Sequence, residues 1–348
     1  METVEMVLPG IGEPESLRMS TRELGAPGPG QAVVRVEASG VSFAEQSMRR
    51  GKYYDQPEFP FVPGYDLVGV VEQLGPDTGS DVRVGQRVAA LTKVGGWAQR
   101  VILDVGDLVP VPDGVSAAAA ETVIVNGLTA WRVLHRTAKV RPGQTMVVFA
   151  AAGGVGSVLV QLAVHAGIRV IGTAGPSQQE RLRKMGAIPI DYRAEDVPAR
   201  VRELAPGGVD AVVDNVGGPG ILDSWRMLAR GGTLVSLSDM SVIDAKHPMV
   251  PFLRHYGRVQ LWNLLPNRRH AYFFNIWAGR RNIERFRTRL RADLTALFGL
   301  LADGSLTAPI DSQYPLSQAA AALRHAESGG LAGKVIIVPD TSPPPRIS

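Results

Sequence analysis

The sequence predicts an α/β fold of two domains, a doubly wound parallel sheet joined to a β-rich, barrel-like domain, and three observations point there. The first third is filled with short Val-rich segments broken by Gly and Pro. From Ala117 onward, apolar strands alternate with helical segments, which implies a parallel sheet covered on both faces. The chain then closes on a strand-like KVIIVP, which suggests a return to the first domain. Its 348 residues exceed the roughly 100–200 of one domain, and the expected division is residues 1–123 with 281–348 for the β-rich domain and 124–280 for the parallel sheet.

In chain order, QAVVRVEASG, DLVGVVEQLG, QRVAAL and WAQRVIL are short and bounded by turn residues, as strands require, with only weak helical character at Ala44–Arg50. The Ala-rich run SAAAAETVIVNGLTAWRVLHRTA predicts a helix that closes at Arg141–Gly143. TMVVFA reads as a strand and VGSVLVQLAVHAG as a helix capped by Gly167. RVIGTAG, VDAVVDNVGG and TLVSLS continue as strands, with SQQERLRKMGA and ILDSWRMLARGG as helices between them. Beyond Ser238 the pattern becomes less regular, with AYFFNIWAG as the last strand of the sheet. Phe286, Leu290, Leu294, Leu297 and Leu301 then recur at helical spacing. The Pro/Ser-rich tail from Asp340 reads as unfolded or loosely packed.

Composition narrows the function. The chain has no cysteine, which removes disulfides and every zinc site that needs a thiolate. The net charge of +4 is spread along the chain. Its densest cluster, Arg280–Arg291, contains Glu284, Phe286 and Leu290 and so reads as a solvated helix face, with nucleic-acid contact the weaker alternative. The N-terminus lacks signal-peptide architecture, and no apolar run reaches the ~20 residues of a membrane helix. The expectation is a cytoplasmic protein with neither a nucleic-acid nor a membrane partner.

The strongest local signal is TMVVFAAAGGVGSVLVQLA, a buried strand entering a Gly-rich turn that opens a helix. Ala151-x-Gly153-x-x-Gly156 is a dinucleotide-binding (Rossmann) fingerprint with Ala in place of its first Gly. Gly153 lets the backbone approach a pyrophosphate, Gly156 lets helix and strand pack, and the free N–H groups of the first helical turn face the anion. The alternative is a purely structural glycine turn. The second strand ends Thr173-Ala174-Gly175-Pro176-Ser177, with no acid before Glu180. A carboxylate there would repel a 2′-phosphate, so its absence favours NADPH over NADH. Ser177, Arg181, Tyr192 and Arg193 are candidates to hold that phosphate, although both arginines equally suit solvent.

Three segments together resemble the quinone oxidoreductase (zeta-crystallin-like) branch of the medium-chain dehydrogenase/reductase superfamily. They are GVSFAEQSMRRGKY at Gly40–Tyr53, then PGYDLVGVVEQLG with VGQRVAAL, and then NGLTAW, AAAGGVG and DNVGG in order. The resemblance covers Gln31 to Pro339 and implies a Rossmann domain with a GroES-like barrel domain. Zinc enzymes of the superfamily place Cys and His where this chain has Ser42 and Tyr65, so the resemblance implies a zinc-independent member. It also implies a cofactor site. Asn126 and Thr129 would lie near the nicotinamide, and Ala152, Gly153, Gly154, Val155 and Gly156 would lie along the pyrophosphate. Thr173, Gly175, Ser177, Gln178 and Tyr192 would surround the adenosine phosphate. Asn215 and Gly217 would pass beneath the ribose, Ser238 would end the fifth strand near the nicotinamide, Lys334 would approach the cofactor, and Ser42 would offer it a hydroxyl. Two departures stand out: Ser42 replaces the family's Asn, and Gln178 or Gln179 replaces a basic residue that favours NADP.

Without a metal, another group must offset negative charge on the acceptor after hydride arrives. Tyr53 is the candidate proton donor, with Tyr54, Ser42 or water as substitutes and an aromatic wedge beside a Gly turn as the structural alternative. The expected activity is NADPH-dependent reduction of a quinone or an activated C=C. The alternatives are an enoyl-thioester reductase and a non-catalytic, crystallin-like NADPH-binding protein. The aromatic residues between Asp239 and Arg281 fit core or dimer interface better than a substrate platform. The resemblance further implies a homodimer paired along AYFFNIWAG.

Overall fold

The computed structural model describes residues 1–79, 81–238 and 249–340. The chain forms two compact units, Met1–Val125 with Gly279–Ser348, and Asn126–Ala278.

In the first unit, β1 (Glu2–Val7) and β2 (Arg18–Glu23) form an antiparallel hairpin. The unit is organised by β3 (Gln31–Val41), whose 11 residues are long enough to pair antiparallel with three partners. These are β4 (Asp66–Leu74), β6 (Arg100–Asp104) and β15 (Lys334–Val338). With β5 (Arg87–Leu91), β7 (Val109–Pro110) and β14 (Ile310–Pro315), the sheet order is β14-β15-β3-β4-β5-β7. Val34, Leu67, Val71, Val88, Val101 and Leu108 fill its core, the product of alternating apolar residues on strands with one inner face. The predicted return of the C-terminal segment is therefore literal, since β15 pairs with β3. Of the described tail, Asp340 is tied down by accepting the Ser317 N–H at 3.3 Å. Residues 341–348 lie outside the described residues.

The helices of this unit are α1 (Phe43–Arg49), α2 (Ala117–Thr122), the long α9 (Ile283–Ala302) and α10 (Ala319–Glu327). α9 buries Phe286, Leu290, Leu294 and Leu297 as its period predicts, and Phe298 as well, while Leu301 sits at the margin. Its arginines do more than face solvent. Arg287 Nε meets Asp107 at 2.8 Å and its Nη2 meets Asp104 at 3.1 Å, while Arg291 pairs with Asp81 at 3.4 Å. The basic cluster is thus partly matched within its own unit.

Among the described residues, the second unit holds six parallel strands. They are β8 (Thr145–Val148), β9 (Arg169–Ala174), β10 (Ile188–Asp191), β11 (Val209–Asp214), β12 (Leu228–Ser236) and β13 (His270–Phe273). Their order, β10-β9-β8-β11-β12-β13, is that of a doubly wound dinucleotide-binding sheet, with strand order reversing beside its first strand. Met146, Val147, Val148, Ala211, Val212 and Val213 are fully buried because helices cover both faces. Those helices are α4 (Gly154–His165), α5 (Gln179–Lys184), α6 (Val197–Leu204), α7 (Ile221–Arg226) and α8 (Met249–Trp262).

Several expected boundaries move. The Ala-rich run is not one helix: α2 ends at Thr122, α3 (Val125–Arg132) follows, and a π-helical turn spans Val133–Ala138. The break has a local cause. The Val125 N–H, which a continuous helix would direct to residue 121, goes instead to the Asp66 carboxylate at 3.1 Å. The AYFFNIWAG strand stops at Phe273, and the Asn275 side chain turns the chain by accepting the Trp277 N–H at 2.8 Å. The helix expected over ILDSWRMLARGG stops at Arg226, and β12 begins by Leu228. Part of the irregular stretch after Ser238 is the helix α8, while residues 239–248 lie outside the described residues. Trp262 of α8 stacks on Trp225 of α7 at 4.9 Å, and Tyr256 packs edge-on against Phe273. Part of the aromatic group therefore packs ring against ring, while Tyr256 and Tyr272 remain exposed.

Candidate active site

The Gly-rich turn is built as its sequence reads: strand β8, a turn, then α4 from Gly154. The residue with left-handed backbone is Ala150, at φ +48°, rather than the position aligned with the fingerprint's first Gly. Thr173 from β9 holds this turn, its carbonyl accepting from Ala151 N at 2.9 Å and its hydroxyl from Ala150 N at 3.3 Å. A Cβ on Gly156 would sit 2.8 Å from the Ala151 Cα, so helix and strand approach only because that atom is missing. A Cβ on Gly154 would meet the buried amide of Asn126 at 2.6 Å. Around Gly153 only the Ala150 carbonyl lies near, at 3.3 Å, and no side chain caps α4. The N–H groups of Gly154, Val155 and Gly156 have no acceptor within the helix. A turn with open space and uncapped donors, in a 12-residue helix whose dipole adds to them, fits a diphosphate.

The strand-two end is also as expected. β9 ends at Ala174 without an acid, and Ser177 is exposed in a short 3₁₀ turn, Pro176–Gln178. The half-exposed Tyr192 ring comes within 4.0 Å of where a Gly175 Cβ would stand, and the Arg193 guanidinium lies 5.8 Å over that ring. Arg181 reaches back to the Ala152 carbonyl at 3.5 Å, which brings a cation to the Gly-rich turn itself.

Other expected cofactor residues are engaged in holding the scaffold. Thr173 is buried and tied to Ala150, so it shapes the turn. The Asn215 amide donates to the Phe149 carbonyl at 2.7 Å, and Ser238 Oγ donates to the Asn215 carbonyl at 2.5 Å. Asp214, which the sequence did not single out, accepts from Val216 N, Gly217 N and Ser224 Oγ at 2.7–2.9 Å. These bonds fix the loop after β11, where Gly217 has φ +66°. Thr129 is buried on α3 and Gln178 closes the 3₁₀ turn.

Ser42, Tyr53 and Lys334 belong to the first unit. Ser42 caps α1: its hydroxyl accepts from Ala44 N at 3.2 Å, and Glu45 Oε2 accepts from its backbone N–H at 2.8 Å and from its hydroxyl. Glu45 Oε1 accepts the Tyr65 N–H at 2.7 Å. Burial pushes the Glu45 carboxyl above its usual range, against the lowering effect of the Ser42 hydrogen bond. Lys334 is not displayed on an open surface. Its ammonium lies 3.0 Å from Asp66 Oδ2 and 3.1 Å from Glu121 Oε1, and all three side chains are at most 1% exposed. Burial alone would lower this lysine, but Asp66, Glu121 and Glu45 outweigh it and hold the ammonium more firmly charged than usual. Burial, reinforced by Asp66, pushes Glu121 well up. The cluster occupies space left by a missing side chain, since a Cβ on Gly40 would overlap the Lys334 and Glu121 side chains.

Tyr53 is partly buried, with its hydroxyl 2.6 Å from that of Tyr65. Burial raises its phenol far above the ordinary value, and Tyr65 and Tyr54 add to this. At neutral pH it is therefore a neutral hydrogen-bond donor. Sequence reasoning noted Tyr65 only as the occupant of a metal-ligand position. A Tyr in that place, 12 residues after another candidate Tyr, was the one available sign of their pairing.

Residues 28–113 match the alcohol dehydrogenase GroES-like domain family, and residues 185–337 match a family described as zinc-binding dehydrogenase. The chain is 31% identical over 342 residues to the synaptic vesicle membrane protein VAT-1 homolog of Rattus norvegicus, covering 96% of this chain and 83% of that protein. It is 33% identical over 335 residues to the phthioceranic/hydroxyphthioceranic acid synthase of Mycobacterium bovis, covering 93% of this chain but 15% of that protein. A solved Pseudomonas syringae pv. Tomato quinone oxidoreductase superposes with a TM-score of 0.83 at 31% identity, covering 97% of this chain and 100% of that one. A mycobacterial protein complexed with NADPH gives 0.82 at 29%, with the same coverage.

The second family description raises zinc, and the residues present do not fit it. There is no thiol in the chain. Where zinc enzymes of the superfamily place Cys and His stand Ser42, which caps a helix, and Tyr65, whose hydroxyl pairs with a phenol. Glu45 beside them already accepts three protein hydrogen bonds. By this donor set, these matches and this fold, the chain belongs to the medium-chain dehydrogenase/reductase superfamily, in its zinc-independent, quinone oxidoreductase-like branch.

Proposed function

We propose that the protein is an NADPH-dependent oxidoreductase that reduces a quinone or an activated C=C of a small apolar molecule. The observation that carries this reading is the uncapped start of α4 behind Gly153, beside a β9 end that lacks an acid and has Arg181 close by. The open N–H groups of Gly154–Gly156 would hold the diphosphate, while Arg181, Ser177 and Tyr192 would receive a 2′-phosphate. NADPH, when bound, supplies hydride. The protein's part is to orient the acceptor and offset the charge that develops on its oxygen. Tyr53 suits that part as a neutral phenol able to donate a hydrogen bond and then a proton. The NADPH complex of the mycobacterial neighbour and the quinone oxidoreductase named in another neighbour support the reading. The match to a segment of a long-chain acid synthase keeps enoyl thioesters among the acceptors to test.

The test is NADPH oxidation with a panel of quinones, enones and enoyl thioesters, alongside NADPH and NADH affinities. We expect turnover with at least one class, tighter binding of NADPH, and about 100-fold loss of kcat in Tyr53→Phe. Tighter NADH binding, or NADPH bound with no turnover across the panel, sinks the reading, and the latter leaves a non-catalytic NADPH-binding protein. We also propose self-association along β13. It lies at the sheet edge, and Tyr272 on it and Leu253 and Leu261 of α8 are exposed.

A further inference from the structure

The outward face of α8 is apolar where a helix lying on a sheet is ordinarily polar. His255 and Val259 turn inward and are buried. On the opposite side, at helical spacing, stand Val250 at 68%, Leu253 at 57% and Leu261 at 64% exposed, with Gly257 in open space between them. The Leu264 N–H still bonds the Leu261 carbonyl at 3.1 Å, which carries the stripe past the helix end to Leu264, 78% exposed. One exposed leucine needs no explanation, but an apolar stripe along one face does.

The stripe is bordered by one sign of charge. From Ala245 to Ile283 the sequence has no Asp or Glu and seven Lys or Arg, whereas the whole chain is nearly balanced at 33 against 37. Arg254 and Arg258, one turn apart, run beside the stripe, and Arg268 follows it. The arginines of α9 are matched by Asp104, Asp107 and Asp81. Among the described residues, no carboxylate pairs with Arg254 or Arg258.

This combination selects among occupants. A second copy meeting this face with its own would set arginine against arginine with no acid to balance them. A nucleic acid would engage the arginines and leave the valine and leucines in water. An acidic protein that wraps a free amphipathic helix has no way round α8, whose inner face is held to β12 with His255 Nε2 2.8 Å from Ser236 Oγ. An anionic lipid surface takes both parts of the face. The aliphatic side chains enter the boundary between headgroups and acyl chains, and the arginines stay among the phosphates. We propose that α8 and the turn after it dock this protein on the surface of membranes that contain anionic phospholipid. No helix of the described residues is long and apolar enough to cross a membrane, and a helix lying in the interface needs neither property. The expectation of no membrane partner rested on the lack of a spanning segment, which does not bear on a surface-lying helix. The docking stands or falls apart from the reaction proposed above.

Flotation of the full chain with vesicles tests this, using phosphatidylcholine alone or with about a third phosphatidylserine. Binding to the anionic vesicles is expected to be at least about tenfold tighter, and to weaken several-fold as salt rises from about 0.1 to 0.5 M. Leu253→Ser with Leu261→Ser, and separately Arg254→Gln with Arg258→Gln, should each lose about tenfold of that binding. NADPH Kd and Tm should stay those of wild type, because all four side chains lie on or beside the outward face. No binding to either vesicle, equal binding to both, or variants that bind like wild type would overturn the proposal. Loss of self-association in the leucine variant with lipid binding intact, read by sedimentation velocity, would instead assign the stripe to a second copy. Salt-sensitive binding to a DNA duplex in place of the vesicles would assign the arginines to nucleic acid, and either result also overturns it.

Discussion

Two polar regions of this molecule handle their hydrogen-bonding groups in opposite ways. At the β8–α4 turn, backbone donors stand open: Gly153 has no side chain, no residue caps the helix, and the first-turn N–H groups point at nothing in their own helix. At the corner formed by Gly40, Asp66, Glu121 and Lys334 the Asp66 and Lys334 groups are matched within the protein, while Glu121 meets the same ammonium and its oxygens accept no hydrogen bond. Asp66 Oδ1 accepts Gly40 N at 3.3 Å, Oδ2 accepts Val125 N at 3.1 Å and Lys334 Nζ at 3.0 Å, and its carbonyl takes the Ser39 hydroxyl at 2.6 Å. Both regions rest on a glycine whose missing Cβ makes room. In one the room is open to a ligand, and in the other the protein's own charges fill it. A polar, glycine-dependent pocket is thus a binding site only when its donors remain unmatched.

The sharpest way to break this contrast is to unmatch the second region. Lys334→Met leaves Asp66 and Glu121 buried without their cation, and removing one partner of a buried ion pair typically costs about 3–5 kcal/mol. Urea denaturation at pH 7 measures it. A cost below about 1 kcal/mol would mean that the lysine balances little of the buried charge.

A smaller, pH-dependent effect isolates Glu121. Burial and Asp66 raise its carboxyl well above the unfolded value, so the folded protein keeps a proton that the unfolded chain releases. Stability from this group is therefore complete below the unfolded carboxyl value of about 4.3 and declines as pH rises from there towards the raised folded value. Glu121→Gln has no proton to lose and keeps the shape. The variant should gain on wild type as pH rises from about 4.5 to 8 in parallel urea titrations. A stability difference that stays constant, or that narrows at high pH, would show that Glu121 is ionised in the fold.

How much of this was legible beforehand differs between the two regions for a physical reason. The parallel sheet, the turn, the helix after it and the acid-free end of β9 follow from local patterns: apolar runs, glycine spacing and a missing carboxylate. The charge cluster brings together positions 40, 66, 121 and 334, which the pairing of β3 with β4 and β15 and the packing of α2 on these strands make neighbours. No local pattern reports such a juxtaposition. The Tyr53–Tyr65 pair was hidden likewise. The split of the Ala-rich helix at Val125 was invisible because the group that breaks it, Asp66, lies 59 residues earlier. Thr173 and Asn215 hydrogen-bond to backbone atoms of the β8–α4 turn and its approach, and a residue type alone does not say whether its side chain meets ligand or backbone.

The smallest expected effect concerns how the open region keeps its shape. Ala150 holds φ +48°, a conformation that costs a residue with a Cβ roughly 1–2 kcal/mol and glycine almost nothing. Its side chain is exposed, so replacing it forfeits little burial. Against that gain stands the larger backbone freedom of glycine in the unfolded chain, about 0.4–1 kcal/mol. Ala150→Gly should therefore stabilise the protein by up to about 1 kcal/mol, a rise of a few degrees at most in Tm by calorimetry. NADPH affinity should stay the same, because Thr173 holds the turn through the backbone of Ala150 and Ala151 and needs no methyl group there. A lower Tm with weaker NADPH binding would instead mean that the alanine stiffens the turn for its ligand, and that the openness of this region depends on a strained residue as much as on the glycines that follow it.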